Sequence, residues 1–307
     1  MLVILYNRPD LATILFELLK KIGIFERVYI SIDGPRNDKD QNQVQRVRDI
    51  SRAVDLGGEV YIHEFEENQG CKIGVRSAID WFFSLEKEGI ILEDDCHPTA
   101  AFFDFMEVML QQYRQDTRIA QICGSNTIGS YNVGADYFFS NFGNIWGWGT
   151  WRRAWDNYDR DMTTFTTVPQ IRKNLRSKIH FFFDGFFRMR NFDAAAQGKI
   201  DTWDYQWMYS RLAQNQVCVI PSVSLVNNVG VGEHATHTFQ AAAPIDHVHI
   251  DKLRESINWS KPRGQQVMLP NYCFELAVAE YKRGWRGCGP LVMGKKLFFL
   301  IKRKLFS

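Results

Sequence analysis

The sequence predicts an α/β fold: a Rossmann-like, mixed but mostly parallel sheet flanked by helices, followed by a helical, basic C-terminal segment. Short apolar strands alternate with helices through the first half, which is typical of parallel sheets covered on both faces. Each polar cluster of that half directly follows a strand, at the edge where such sheets bind ligands. No internal repeat or low-complexity linker interrupts the chain, so we predict one domain over residues 1–245 and a helical extension over 246–307.

Apolar spacing assigns the elements of the first half. The predicted strands read LVILYN, RVYISID, GEVYIHEF and GIILED, and the second is stopped by Gly34-Pro35. The helices between them read PDLATILFELLKKI, DKDQNQVQRVRDISRAV and IGVRSAIDWFFSLE. Strand and helix therefore alternate without a break as far as residue 94.

The second half is less regular. A helix is predicted at FFDFMEVMLQQYRQD and a strand at IAQICGSN, and the Gly- and Trp-rich stretch NFGNIWGWGTWRRAWDNYD follows them. A further helix reads DYQWMYSRLAQN, and a last strand reads QVCVIPSVSLVNNVG.

Composition narrows the class of protein. The 307 residues are 45% hydrophobic, which is enough for a large core, and they include nine Trp, whose faces suit sugars as well as cores. The net charge of +2 combines a mildly acidic body with a basic tail, which argues against a nucleic-acid binder. Six scattered Cys without a C-x-x-C pair argue against a zinc ribbon or a disulfide framework, and they favour a reducing compartment.

The two ends of the chain bear on localisation. We expect no signal peptide, because LVILYN already reads as a strand, and no apolar run reaches the roughly 20 residues of a spanning helix. We therefore expect a cytoplasmic protein. The tail GKKLFFLIKRKLFS places apolar residues between two basic clusters, so it either contacts the inner face of the cell membrane peripherally or packs on the domain.

Three consecutive acids, Glu93, Asp94 and Asp95, follow the apolar run of the GIILED strand. Carboxylates this close repel one another, and burying them is unfavourable without a compensating cation. They either lie in a solvated turn or bind a divalent ion that neutralises a diphosphate. The chain has no phosphate-binding G-x-x-x-x-G-K-[ST], no G-x-G-x-x-G after the first strand and no G-x-S-x-G nucleophile elbow.

Several motifs carry a family resemblance. The series ILYNRPD, SIDGPR, ENQGCKIGVRSAI and ILEDDCHP resembles the nucleotide-binding half of GT-A fold glycosyltransferases, especially inverting enzymes like N-acetylglucosaminyltransferase I and their bacterial relatives. The likeness continues through NIWGWGTWRRAW, DTWDYQW and NNVGVGEHATHT, so it covers about residues 1–240. It implies transfer of a sugar, with inversion, from a nucleotide-diphosphate donor, which we expect to be a UDP-sugar.

The acidic triplet is where the resemblance places the metal. It implies that Asp95 binds Mn²⁺ or Mg²⁺, while Asp94 and Glu93 contact the ribose or the donor sugar. Asn7, Arg8 and Asp33 resemble the positions that line the nucleoside. Asp33 precedes Gly-Pro, so a plain turn is the alternative there.

The segment that follows the third predicted strand resembles one that binds a diphosphate. Asn68 and Gly70 precede a helix whose Arg76 would face the diphosphate. The alternative is a helix cap followed by a solvated arginine.

Asp204 in TWDYQW is the candidate general base that takes the acceptor hydroxyl's proton. Asp201, three residues earlier, is either that base or a helix N-cap. The candidates for contact with the donor sugar are Trp146, Gly147, Trp148 and Trp203. Trp151 and Trp155 lie four residues apart on a predicted helix and are interpreted as packing residues.

GEHATHT holds two of the seven histidines. The resemblance implies that His237 meets the metal or the diphosphate. His234 lies where relatives are expected to have Asp, so it is the alternative ligand.

Two other function classes compete with a metal-dependent glycosyltransferase acting on a glycan or glycolipid hydroxyl. A sugar-phosphate nucleotidyltransferase should have a Gly-rich, Arg- and Lys-bearing loop after the first strand, and YNRPDLA is no such loop. A non-catalytic, Trp-rich carbohydrate-binding protein would not need the acidic triplet, the distal Asp and the late His.

Overall fold

The computed structural model describes residues 1–178, 182–230 and 247–285. Its strands are β1 (Leu2–Leu5), β2 (Arg27–Ile32), β3 (Glu59–Glu64), β4 (Glu88–Glu93), β5 (Cys96–Pro98), β6 (Ile119–Cys123), β7 (Tyr137–Ser140), β8 (Trp148–Trp151), β9 (Val217–Pro221) and β10 (Val226–Asn228). Its helices are α1 (Pro9–Ile22), α2 (Asp38–Ala53), α3 (Gly70–Leu85), α4 (Ala100–Gln112), α5 (Arg152–Trp155), α6 (Thr163–Thr167), α7 (Pro169–Lys178), α8 (Phe182–Ala196), α9 (Asp204–Ala213), α10 (His247–Glu255) and α11 (Tyr272–Trp285).

The main sheet has eight strands in the order β3-β2-β1-β4-β8-β6-β9-β7. β3, β2, β1 and β4 pair in parallel, as do β6 and β9, whereas β8 and β7 run antiparallel to their neighbours. Helices flank this sheet, so the predicted class is confirmed: a mixed, mostly parallel sheet between helices. The parallel strands end at one edge, and that edge holds the polar clusters noted in the sequence.

Burial on both faces explains the apolar runs of the central strands. β2 is buried from Val28 to Ile32, and three of the four residues of β1 are buried. Pro9 starts α1, where its fixed φ suits the first helical turn, and the helix buries Ala12, Leu15, Phe16 and Leu19 against the sheet.

The region after residue 94 departs from the expected strands. The predicted strand over 216–230 divides into β9, which ends at Pro221, and β10, which leaves the main sheet and pairs antiparallel with β5. Pro221 cannot donate to a further ladder hydrogen bond, and the chain turns there. β7, and β8 within the Gly- and Trp-rich stretch, were not among the predicted strands.

The Trp-rich region forms a core on one face of the sheet. Trp148 stacks on Trp203 with ring centroids 5.7 Å apart, and Trp155 and Trp207 pack against the same cluster. Trp151 and Trp155 are 2% and 5% exposed, so their predicted packing role is confirmed.

Residues 264–285 pack onto the far edge of the sheet, whereas Ile250 and Trp259 join the main hydrophobic core. Gly264 and Pro270 form bridges to β7, and Phe274 and Val278 of α11 join a core cluster with Phe138. The predicted boundary at 245 lies, like His234 and His237, outside the described residues, and so does the basic tail. Within the described ranges, no helix is both long and apolar enough to cross a bilayer.

Candidate functional site

A cavity of about 1260 Å³ opens at the carboxyl ends of the parallel strands. The sequence-predicted residues that line it are Asn7, Arg8, Asp33, Gly70, Glu93, Asp94, Asp95, Trp146, Trp203 and Asp204. They come from six separate segments of the chain, and four of these follow the parallel strands β1 to β4, whose carboxyl ends meet at one edge.

Arg8 is the cation that compensates the acidic triplet in this structure. Its Nε donates to Asp94 Oδ2 at 3.0 Å, and its Nη2 donates both to Asp94 Oδ1 and, at 3.1 Å, to Asp95 Oδ2. This bidentate pairing occupies both oxygens of Asp94, whose side chain is only 3% exposed. Asp94 and Asp95 are therefore neither in a solvated turn nor unpaired.

β10 holds Asp95 from the other side. Asn228 Nδ2 donates to Asp95 Oδ1 at 3.1 Å, and the Val229 amide donates to the Asp95 carbonyl at 2.9 Å. A Cβ at Gly230 would overlap the Asp95 carboxylate, so only glycine lets the backbone approach it so closely. The carboxylate is thus fixed at the cavity wall by a segment more than a hundred residues away.

The donor set fits a divalent ion at Asp95 but not at Asp94. Within the described part of the chain, Asp95 Oδ2 accepts only from Arg8 and keeps a lone pair, whereas Oδ1 accepts from Asn228 and Cys96. The Asp95 side chain is 16% exposed to the cavity, whereas that of Asp94 is 3% exposed. No group of three His, Cys, Asp or Glu side chains in the described ranges is arranged to hold a metal by itself. Mg²⁺ commonly binds through one or two carboxylates together with substrate phosphates, and Asp95 suits that arrangement.

The other two acids of the triplet, Glu93 and Asp94, have raised pKa values. Burial, reinforced by Asp95 and Asp94 and opposed by Arg8, raises the pKa of Glu93 to about 8. Burial also raises the pKa of Asp94 to about 6, although Arg8 acts to lower it. Desolvation therefore outweighs the ion pair at Asp94.

Asp33 organises the start of α3 as well as lining the cavity. Its Oδ1 accepts from the amides of Gly34 and Gln69, each at 2.8 Å, and its Oδ2 accepts from Asn68 Nδ2 at 2.9 Å. Asn68 thus supports Asp33 and does not itself line the cavity. Burial raises the pKa of Asp33 above its ordinary value.

Asp201 caps α3 from a distance in sequence. Its carboxylate accepts from the amides of Cys71 at 3.2 Å and Lys72 at 3.1 Å. Gly70, which starts the helix, has φ +74°, and a Cβ there would lie 2.9 Å from Asp201 Oδ2. The glycine therefore serves both the left-handed backbone and this close approach. The structure supports the capping alternative for Asp201, although on a different helix from the one that follows it.

We expect Asp201→Ala to lower the free energy of unfolding by about 1 kcal/mol, the usual effect of losing an N-cap, because two amides of α3 lose their acceptor. Chemical denaturation measures this change. Glu17→Ala, on the exposed face of α1, is the matched control and should leave stability within about 0.5 kcal/mol of the parent. An Asp201→Ala variant as stable as the control would contradict the capping role.

Asp204 begins α9 and faces the same cavity. Its Oδ1 accepts from the Thr202 hydroxyl and, at 2.9 Å, from the Tyr205 amide. The negative charge of Asp204 contributes to raising the pKa of Glu93, which places the two carboxyl groups in one electrostatic environment. The start of α9 thus places Asp204 in the same cavity as the acidic triplet.

Three other predicted residues do not line the cavity. Arg76 pairs with Asp80 on the same helix, α3, with 3.8 Å between Arg76 Nε and Asp80 Oδ2. Gly147 adopts φ +64°, and its backbone packs against Val226. Trp148 is fully buried, because β8 directs its ring into the aromatic core, so its indole is not available to a sugar.

Sequence reasoning missed several cavity residues. Asp40 on α2 does not itself line the cavity, but it accepts from Asn7 Nδ2 at 3.1 Å and from the Tyr6 hydroxyl at 2.6 Å, so it positions two residues that do. Thr202 lines the cavity two residues before Asp204, and that proximity could have indicated it. Arg188 and Arg211 line the opposite part of the cavity, and no local motif marks them.

The sequence matches no protein-family model and no curated protein. Among solved structures, the chain is similar to one whose title describes an active-site mutant of LgtC, with 9% identity and a TM-score of 0.32. That match covers 55% of this chain and 64% of the other, so it spans less than two thirds of the LgtC chain. A likeness at this level does not bear on activity.

Proposed function

We propose that the protein is an inverting glycosyltransferase that moves a sugar from a nucleotide-diphosphate donor, a UDP-sugar, to a hydroxyl of a glycan or lipid-linked acceptor. One observation carries the proposal: the acidic triplet, Arg8 and the distant Asp204 converge on one cavity at the carboxyl ends of parallel strands. A carboxylate that can take a proton then lies beside groups that can handle a diphosphate.

The proposed reaction assigns one bond change to each group. The acceptor oxygen attacks the anomeric carbon from the face opposite the nucleotide, and its proton passes to the Asp204 carboxylate. The bond between the anomeric carbon and the diphosphate oxygen breaks, and the nucleoside diphosphate leaves with the electron pair. Thr202 and the Tyr205 amide hold one Asp204 oxygen, which orients the carboxylate for this transfer.

Asp95 is the residue that would hold Mn²⁺ or Mg²⁺ together with the donor's phosphates. When bound, such an ion supplies positive charge that stabilises the departing diphosphate. Arg8 contributes a permanent cation at the same place, and Asn228 keeps the Asp95 carboxylate in position. Asp33 lines the cavity on the β2 side, where the proposal puts the nucleoside.

Incubation with a panel of labelled nucleotide sugars, with and without Mn²⁺ or chelator, tests the proposal. We expect release of the nucleoside diphosphate, by transfer or slow hydrolysis, with at least one donor. Release of pyrophosphate would instead identify a nucleotidyltransferase. Sugar binding without any turnover would identify a carbohydrate-binding protein.

A further inference from the structure

The end of the cavity on the β6 and β9 side contains two arginines that the proposed reaction does not use. Arg188 of α8 and Arg211 of α9 both line the cavity, and their exposed fractions are 7% and 1%. In the sheet order, β9 lies three strands beyond β4, which ends in the acidic triplet. At about 4.8 Å per strand, this end is on the order of 14 Å from the triplet.

No carboxylate accepts a hydrogen bond from Arg211 among the described residues. Its Nη1 donates to Cys218 Sγ at 2.8 Å and to the Asn141 carbonyl at 3.4 Å. Its buried Nε has no hydrogen-bond partner among the described residues. A buried guanidinium donor without an acceptor is unfavourable, so this group points to an additional acceptor.

Glu275 of α11, an acid that interacts electrostatically with Arg188, does not line the cavity. Glu275 of α11 uses Oε1 to accept from the Ser140 hydroxyl at 2.9 Å and from the Asn141 amide at 2.7 Å. Burial raises the pKa of Glu275, and Arg188 acts in the opposite direction. Glu275 is buried and does not line the cavity, whereas Arg188 and Arg211 do, so the charged side chains that line this end are both cations.

We propose that this end of the cavity is an anion subsite, and that it binds a carboxylate or phosphate group carried by the acceptor glycan. The direction of the cavity supports this. Asp33 and the proposed nucleoside lie on the β2 side, Arg8 follows β1, and the acidic triplet lies at the end of β4. The β6 and β9 side therefore remains for the acceptor. The identification of the ligand as an acceptor rests on the proposed function, whereas anion binding at Arg211 does not.

Direct binding measurements without any donor test the subsite. Methyl β-glucuronide carries a carboxylate, glucose 6-phosphate carries a phosphate, and methyl β-glucoside is the neutral control. Calorimetry measures the three affinities, and Trp207, whose ring centroid is 5.8 Å from the Arg211 guanidinium carbon, gives a fluorescence readout. We expect at least one charged sugar to bind about 10-fold more tightly than the neutral one, a difference of about 1.4 kcal/mol. Comparing the two charged sugars shows which anion is preferred.

Two variants change the preference in opposite directions. Arg211→Met should abolish it, because the guanidinium donor is lost. Glu275→Gln keeps an oxygen for Ser140 and Asn141 but removes a negative charge that acts on Arg188, so it should increase the preference about 3-fold. If Arg211 only stabilises the fold, Glu275→Gln should not change the preference for charged over neutral sugars. Glu275→Gln therefore still tests the subsite if Arg211→Met does not fold.

Equal affinity of the parent protein for all three sugars, or a weaker preference in Glu275→Gln, would overturn the subsite. Sugar transfer without any anion preference would reject the subsite and leave the proposed function standing. Anion preference in a protein that turns over no nucleotide sugar would reject the proposed function and leave the anion subsite standing.

Discussion

Asp204→Asn should lower kcat by on the order of 10²-fold or more while leaving donor affinity nearly unchanged, because only the proton acceptor is removed. The amide oxygen of Asn can still accept from Thr202 and from the Tyr205 amide, so the start of α9 should keep its geometry. Single-turnover measurements with saturating donor report the chemical step, and equilibrium titration reports donor affinity.

The control for this variant is Asp201→Asn, three residues earlier. Asp201 is exposed and accepts the two amides of α3, so its variant should keep kcat within about 3-fold of the parent value. A kcat loss confined to Asp201→Asn would move the general base to that residue. A change in KM alone for Asp204→Asn would make Asp204 a binding residue.

Asp95→Asn should abolish the metal-dependent part of nucleotide binding and reduce turnover to the level seen in chelator. A neutral amide is a poor ligand for a hard divalent ion, and Asp95 is the acid of the triplet that is both exposed to the cavity and free of bidentate pairing with Arg8. The direct measurement is nucleoside diphosphate affinity titrated against Mn²⁺, which does not require turnover.

Asp49→Asn, at an exposed position on α2, is the surface control and should bind nucleotide like the parent protein. Metal-dependent affinity that survives in Asp95→Asn would remove Asp95 from the metal site. Parent turnover that is unchanged in excess chelator would leave Arg8 as the cation that serves the diphosphate.

The strand ends were predictable from sequence because local patterns determine them. Apolar runs followed by Asn7-Arg8, Asp33 and Glu93-Asp94-Asp95 predict polar groups at one sheet edge, and the structure brings them together there. The partners of these groups were not predictable. Asn228 reaches Asp95 only because the short strands β5 and β10 pair, and pairing between distant three-residue strands leaves no local pattern.

Contacts between segments far apart in sequence could not be predicted from the sequence either. Asp201 reads locally as a cap for the helix that follows it, yet it accepts amides from α3, which begins 131 positions earlier. Trp148 lies between glycines, as a ligand-contacting aromatic would, but the antiparallel strand β8 buries it. Strand direction and side-chain facing decide such cases, and neither is set by the residues nearby in sequence.

The raised pKa of Glu93 makes the stability of the folded protein depend on pH. Glu93 binds its proton more tightly in the folded protein, with a pKa of about 8, than in the unfolded chain, where the value is about 4.3. Ionised Glu93 therefore opposes folding fully above about pH 8, and that opposition fades as the pH falls towards the unfolded value. The same carboxyl groups that equip the cavity thus weaken the empty protein at neutral pH. If the proposed cation stabilises the ionised triplet, its binding favours the folded state, and thermal stability should then rise with occupancy of the site.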